Sequence, residues 1–269
     1  MIPNVLSIAG SDPSGGAGVQ ADLKTFSALR CYGMAALTAL TAQNTVGVSG
    51  VHTPPAPFVA AQIDAIFADV RVDAVKIGML ASGEIVEAVA ARLRAHGARN
   101  IVLDPVLVAT SGDSLGAPDV VDAMKRHLIP LATVITPNAP EAMRLADSAA
   151  EPSDAAGLEE LARALHRLGA RAVLVKGGHL SGADAPDALF EGESVSTFTT
   201  RRIATRNTHG TGCTLSAAIA AHLARGFALK EAVAASKDYL TGALAASGAL
   251  SVGSGAGHGP VHHFHNLWK

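Results

Sequence analysis

Short aliphatic runs alternate along this chain with stretches whose apolar residues recur every three to four positions. Residues 4–9 (NVLSIA), 34–42, 73–78, 100–104, 132–136 and 171–176 read as strands. Between them, 17–30 carries Val19, Leu23, Phe26 and Leu29 on one stripe, and 57–69 carries Phe58, Ile63, Ile66 and Phe67. These spacings predict helices, as do those over 83–95, 118–128, 139–147 and 154–168. Residues 186–200 alternate around Gly192 and predict an antiparallel hairpin near a sheet edge. Helices 212–225 and 229–247 close the pattern, with Gly226 at the left-handed position that ends the first of them. The Gly- and His-rich stretch 251–269 predicts an irregular tail. Regular β-α alternation with near-continuous aliphatic strands predicts a three-layer α/β/α fold, a mostly parallel central sheet with helices on both faces. The best candidate boundary is 148–154 (SAAEPSD), yet strands continue past it, so residues 1–269 read as one domain. No repeat of 20–50 residues is visible.

Composition narrows the function. Hydrophobic residues make up 49% and charged residues 16% of the 269, which excludes disorder. The net charge is −2 and no basic stripe is present, so nucleic acid is not an expected partner. No apolar run approaches the 18 residues of a membrane span, and the N-terminus lacks the basic region of a secretory signal. The two cysteines, Cys31 (placed with helix 17–30) and Cys213, fit a reduced, cytoplasmic protein.

Ligands of such folds bind at the carboxyl ends of the strands. The residues predicted there are Gly10, Gln43, Met79, Asp104, Asn138 and Lys176. GSDPSGGAG, from Gly10 to Gly18, can present backbone N–H groups to an anion or a ring, but matches neither the G-x-G-x-x-G nor the P-loop pattern. Its plainer reading is a turn before a helix. THGTGCT, from Thr208 to Thr214, opens helix 212–225. Gly210, Thr211, Gly212 and Cys213 there offer unpaired N–H groups and the positive end of the helix dipole to an anion. That position favours a thiolate, so the Cys213 pKa is expected below the free value; otherwise Cys213 is a small filler. Asp104, Asn138 and Glu141, in LDP and TPNAPE, bring oxygen ligands suited to a magnesium–phosphate complex, often through water, or else only cap and turn. Lys176, before Gly177 and Gly178, suits a phosphate, or snorkels to the surface. G-x-S-x-G at 112–116 lacks the immediate helix of a nucleophile elbow. His258, His262, His263 and His265 lack a Cys or acidic partner at zinc spacing.

Taken together, SIAGSDPSGGAGVQADLKTF, TALTAQNT, VDAVKIGML, LDPV, SGD, TPNAPEA, VLVKGGHL, NTHGTGCTLSAAIAA and GHGPVHHFH resemble the hydroxymethylpyrimidine/phosphomethylpyrimidine kinase family of thiamine biosynthesis, in the ribokinase-like superfamily. The resemblance runs from about residue 4 to 265. GTGC carries Cys where most of the superfamily has Asp, and Thr110 stands where Lys is commoner before SGD. The resemblance implies a homodimer, ATP with Mg²⁺ as phosphoryl donor, and two successive phosphorylations at one site. It implies that Gln43 reads the aminopyrimidine edge and that Gly10, Asp22, Met79 and Val106 line the pyrimidine pocket. Asp104, Asn138 and Glu141 would serve the Mg²⁺–phosphate end, and Lys176 and Lys237 the ATP phosphates. Cys213 would be the base, with the backbone of 210–213 as anion hole. A pyridoxal kinase of the same fold is the near alternative. A Cys213-dependent hydrolase and a non-catalytic nucleotide-binding module stand further off.

Overall fold

Aliphatic runs pair into strands in the computed structural model, which describes residues 1–107 and 119–268. Thr110, SGD and the segment 112–116 lie outside the described residues. Strands β1 (Asn4–Ser11), β2 (Tyr32–Gln43), β3 (Val48–His52), β4 (Ala74–Ile77), β5 (Ile101–Leu103), β6 (Val134–Ile135), β7 (Ala172–Lys176), β8 (Asp184–Glu191) and β9 (Ser194–Arg201) form one sheet. Its order is β3-β2-β1-β4-β5-β6-β7-β8-β9. The pairs from β2 through β7 are parallel, and β3, β8 and β9 add antiparallel edges. The helices are α1 (Gly18–Ala28), α2 (Ala56–Asp69), α3 (Gly83–Ala95), α4 (Val120–Ala123), α5 (Ala139–Ala146), α6 (Ala155–His166), α7 (Thr211–Ala224) and α8 (Leu229–Ala245).

The two-residue period of a strand divides the core. Leu6 and Ile8 of β1 face a cluster with Val59, Ile63, Val86, Val89, Leu145 and Leu158, so α2 to α6 cover that side. Val5 faces Phe26, Leu215, Ile219 and Val233, placing α1, α7 and α8 on the other. The predicted three layers are therefore present. Gly226 takes φ +90°, as its position after α7 requires.

Three local expectations change. β3 was not predicted: VSGVH is short, mostly exposed and centred on a glycine, so it carries little apolar signal. The helix expected over 118–128 is regular only over Val120–Ala123, then passes through a π turn and a 3₁₀ turn containing Pro130. Proline has no N–H to continue the ladder. The turns leave only Val134 and Ile135 paired in the strand expected over 132–136. Cys31 lies beyond α1, buried with Sγ 3.7 Å from Ala221 O of α7. Among the described residues no helix is long and apolar enough to cross a membrane.

Candidate active site

The carboxyl ends of the strands open onto a cavity of about 700 Å³. Following the strand order, Gln43, Gly10 and Met79 line one end, beside β2, β1 and β4. Asp104 and Val106 follow β5, Asn138 and Glu141 follow β6, and Lys176 ends β7. Asp187 of β8, Thr200 of β9 and Lys237 of α8 line the far end. Gly210, Thr211, Gly212 and Cys213 bring the start of α7 into the same cavity. A side chain at Gly212 would stand 3.2 Å from Lys176 Nζ and 3.5 Å from an Asp104 oxygen, which locates this helix end against the central charges.

The two glycine loops meet backbone to backbone. Gly210 takes φ +79°, and a Cβ there would strike Gly16 O. Only glycine meets both conditions at low cost. Gly210 is also the residue before α7, so no side chain caps that helix; Thr211 N donates to Thr208 O at 3.3 Å, and the N–H groups of Gly212 and Cys213 face the cavity end of the helix. The first loop is tied by Asp12. Its carboxylate accepts from Ser14 N (2.9 Å), Ser14 Oγ (2.7 Å), Gly16 N (3.1 Å), Ala17 N (2.8 Å) and His209 Nε2 (2.8 Å). Burial opposes that charge, but the hydrogen bonds from His209, Ser14 and Ala17 outweigh it and hold the Asp12 pKa down at about 2.

At the centre, Asp104 Oδ1 accepts from Lys176 Nζ (2.8 Å) and Thr136 Oγ1 (3.1 Å), and Oδ2 from Ser216 Oγ (3.2 Å). Burial penalises this carboxylate, yet Lys176 and Lys76 keep its pKa low. Asn138 and Glu141 cap α5 reciprocally: Asn138 Oδ1 accepts from Glu141 N and Glu141 Oε2 from Asn138 N, both at 2.8 Å. The capping reading of Asn138 is thus realised, although the residue still lines the cavity. Burial pushes the Glu141 carboxyl up to about 7 against the pull of Lys176, and the Asp104 charge adds to the rise.

Two expectations for side chains, those for Asp22 and Cys213, are corrected. Asp22 does not line the pocket. It is fully buried on α1, accepting from Lys76 Nζ at 2.8 Å and from Ser7 Oγ at 2.6 Å, because a lysine inside the apolar strand β4 needs a counter-charge. Lys237 lies in the cavity wall, where its ammonium donates to Asp187 Oδ2 and Ala185 O, both at 2.6 Å, much as Lys176 pairs with Asp104. The Cys213 thiol is pushed up to about 11, not lowered. Burial is the largest cause and exceeds the pull of Lys76, while Asp22 and Asp104 add to the rise.

Lys76, Asp12 and His209 line the cavity and were not singled out in the sequence. Lys76 had a legible signal, a lone charge within AVKI. Asp12 and His209 lie within the two glycine loops, but nothing in the sequence marks their pairing, which joins positions 197 residues apart. Asp104, Glu141 and the Asn138 amide bring oxygen donors together, but no group of three or more His, Cys, Asp or Glu among the described residues could hold a metal alone. The set fits Mg²⁺, which ordinarily takes one or two carboxylates, waters and substrate phosphates rather than an all-protein cage.

A family model described as phosphomethylpyrimidine kinase matches residues 12–262. The chain is 55% identical over 264 residues to a hydroxymethylpyrimidine/phosphomethylpyrimidine kinase of Rhizobium meliloti, covering 98% of each. Among solved structures, a pyridoxal kinase from Staphylococcus aureus in complex with AMP-PCP and pyridoxal aligns with a TM-score of 0.89 at 34% identity, over 99% of this chain and 95% of that one. A phosphomethylpyrimidine kinase from Clostridium difficile aligns with a TM-score of 0.78 at 41% identity, over 89% and 98%. The layered sheet is thus of the ribokinase-like class.

Proposed function

The chain belongs to the phosphomethylpyrimidine kinase family, and we propose that it phosphorylates 4-amino-5-hydroxymethyl-2-methylpyrimidine to the monophosphate and then to the diphosphate, with ATP as donor. The observation that carries this reading is the uncapped start of α7. It places Cys213 in one cavity with Gln43, Gly10 and Met79 on one side and the Lys176–Asp104 pair on the other. One cavity therefore offers a polar edge for a ring, an acceptor for an alcohol proton and cationic groups for a triphosphate. The reading extends to a cytoplasmic homodimer with the whole chain as one kinase domain.

Phosphoryl transfer needs positioning and charge neutralisation more than covalent chemistry. Gln43 offers an amide donor and an acceptor, the pair that a ring nitrogen and an amino group satisfy. Lys176 and the N–H groups of 210–213 receive the phosphate oxygens. As the alcohol oxygen bonds to the γ-phosphorus, the bond from that phosphorus to the β-bridging oxygen breaks and ADP leaves. The alcohol proton passes to the Cys213 thiolate, the minor form at neutral pH because burial pushes the thiol up to about 11. Asp104 and Glu141 would hold Mg²⁺, which would supply charge neutralisation at the transferring group. In the second step the nucleophile is a phosphate oxygen.

The test is ADP release measured with the pyrimidine alcohol, its monophosphate and pyridoxal in parallel. The reading expects release with the first two, continuing past one equivalent per alcohol. Pyridoxal as the preferred substrate moves the assignment to pyridoxal kinase; accumulation of the monophosphate removes the second step. With the thiol near 11, kcat/KM for the alcohol should also rise with pH through the neutral range, since that ratio reports the free enzyme's base.

A further inference from the structure

We propose that His209 is a positioning residue which, together with the tail segment 253–263, holds the turn that follows Gln43 and the entrance of α7 in one register. It rests on the roles proposed above for Gln43 and Cys213. His209 sits where three segments converge. Its Nε2 donates to Asp12 Oδ2 at 2.8 Å, and through Asp12 it reaches the N–H groups of Ser14, Gly16 and Ala17. Its backbone N donates to Gly259 O at 3.0 Å, and it forms a bridge with Pro260. A side chain on Gly16 would strike the His209 ring and stand 3.2 Å from Pro260 Cβ, so the first loop is packed against both.

The tail continues this contact in two directions. Toward the substrate end, His258 N donates to Thr45 O at 3.0 Å, and a Cβ on Gly257 would strike the same carbonyl. Thr45 is two residues from Gln43, and Gln43, Thr45, His209 and His258 line one small recess beside the main cavity. Toward α7, His263 Nε2 lies 3.1 Å from Thr214 Oγ1. That hydroxyl gives its proton to Gly210 O at 2.8 Å, so the imidazole is the donor. Tyr239 OH holds the His263 carbonyl at 2.6 Å. Cys213 lies between Gly210, which precedes α7, and Thr214 in its first turn, the two residues that this network fixes. The distance from Gln43 to Cys213 is therefore set by a closed circuit of contacts through His209 and the tail, and not by the sheet alone. Tail histidines that match no metal spacing find their use here as donors and spacers.

Hydrogen exchange and steady-state kinetics on H209A, H209Q and G257A test the proposal. H209A should lower kcat for the alcohol roughly 10²-fold, the cost of a small misplacement of reacting groups, with KM for ATP nearly unchanged. Amides of 12–17 and 44–47 should exchange faster in H209A although the variant melts cooperatively. Gln keeps an amide donor near the Nε2 position, so H209Q should recover most of both. G257A, outside the proposed catalytic set, should raise KM for the alcohol and quicken exchange at 44–47 alone. Equal losses in H209A and H209Q, or faster exchange confined to 208–210, overturns the proposal. Absence of alcohol-dependent ADP release in the parent protein would instead remove the kinase reading, and the exchange pattern would still decide whether the register is held through His209.

Discussion

Two helices begin at the same cavity, and their first turns are built in opposite ways. α5 is closed by its own residues: Asn138 and Glu141 exchange hydrogen bonds, and Pro140 in the first turn has no N–H to satisfy. α7 is open: Gly210 precedes it with φ +79° and no side-chain cap, and Gly212 adds no side chain in front of the first N–H groups. Both follow a loop rich in Thr, Asn and Gly or Pro, so TPNAPE and THGTGC look alike as sequence punctuation. The difference lies in where satisfaction of the backbone comes from. The protein itself supplies it at α5, so that start is rigid scaffold that also presents oxygens to the cavity. At α7 only Thr211 N is met by the protein, through Thr208 O, and the N–H groups after it are open to an anion, which suits that start to the charge that develops in a phosphoryl transfer.

The largest effect should come from the open start. Cys213→Ala is expected to lower kcat for the alcohol by roughly 10²–10⁴, the usual worth of a positioned base, with little change in thermal midpoint. Cys31→Ser serves as control, because Cys31 packs outside the cavity. Alkylation should inactivate through Cys213 and be slowed by substrate. Turnover of Cys213→Ala within about threefold of the parent would show that the thiol only packs and that α7 is as structural as α5. Next in size is Gln43→Leu. A ring edge left without its hydrogen bonds costs about 1–3 kcal/mol, which should appear in KM for the pyrimidine and not for ATP. An equal loss for ATP would make Gln43 part of the framework.

The contrast between the helix starts also marks what a sequence can disclose. Strands such as NVLSIA and AVLVK are buried on both faces, so their aliphatic runs survive any tertiary context and were legible. GTGC and the strand-end positions of Gly10, Gln43, Met79, Asp104 and Lys176 were legible because topology, not side-chain detail, brings them together. Asp22 was placed in the pocket through the resemblance alone, and a sequence does not show that its side chain turns inward to Lys76. The direction of the Cys213 pKa was missed because the helix dipole is visible in sequence and the depth of burial is not. The Asp12–His209 pair and the tail contacts depend on segments far apart in the chain, for which no local period exists.

A smaller effect, on stability more than on rate, is expected at the closed start. Asn138→Ala removes the acceptor for Glu141 N and should cost about 1 kcal/mol in denaturant unfolding, within the range of N-cap substitutions. Asn138→Asp keeps the acceptor and should recover most of it. A loss in kcat as large as that of Cys213→Ala, with stability intact, would place Asn138 on the reacting phosphates and erase the distinction between the two helix starts.

The effect most specific to the comparison is a pair of slopes of opposite sign. Glu141 at the closed start has its pKa raised to about 7, and Asp12 beside the open start has its pKa lowered to about 2. Between about 4.5 and 7 the unfolded chain has already released the Glu141 proton while the folded one retains it, so its stabilising contribution falls as pH rises through this window. Between about 4 and 2 the unfolded chain binds a proton at Asp12 before the folded one does, so its contribution is lost as pH falls. Each group can change the slope of stability against pH by at most about 1.4 kcal/mol per unit, the value for one proton. In Glu141→Gln the amide oxygen can still accept from Asn138 N, so the cap survives and only the decline toward pH 7 should flatten. In Asp12→Asn the hydrogen bonds from Ser14, Gly16 and Ala17 weaken, and the acid limb between pH 4 and 2 should flatten while the neutral limb keeps its shape. Chemical unfolding from pH 2 to 8 reads both. If Asp12→Asn flattens the neutral limb instead, the carboxylate is not the charge that fixes the loop in front of α7, and the open start must be held by the tail alone.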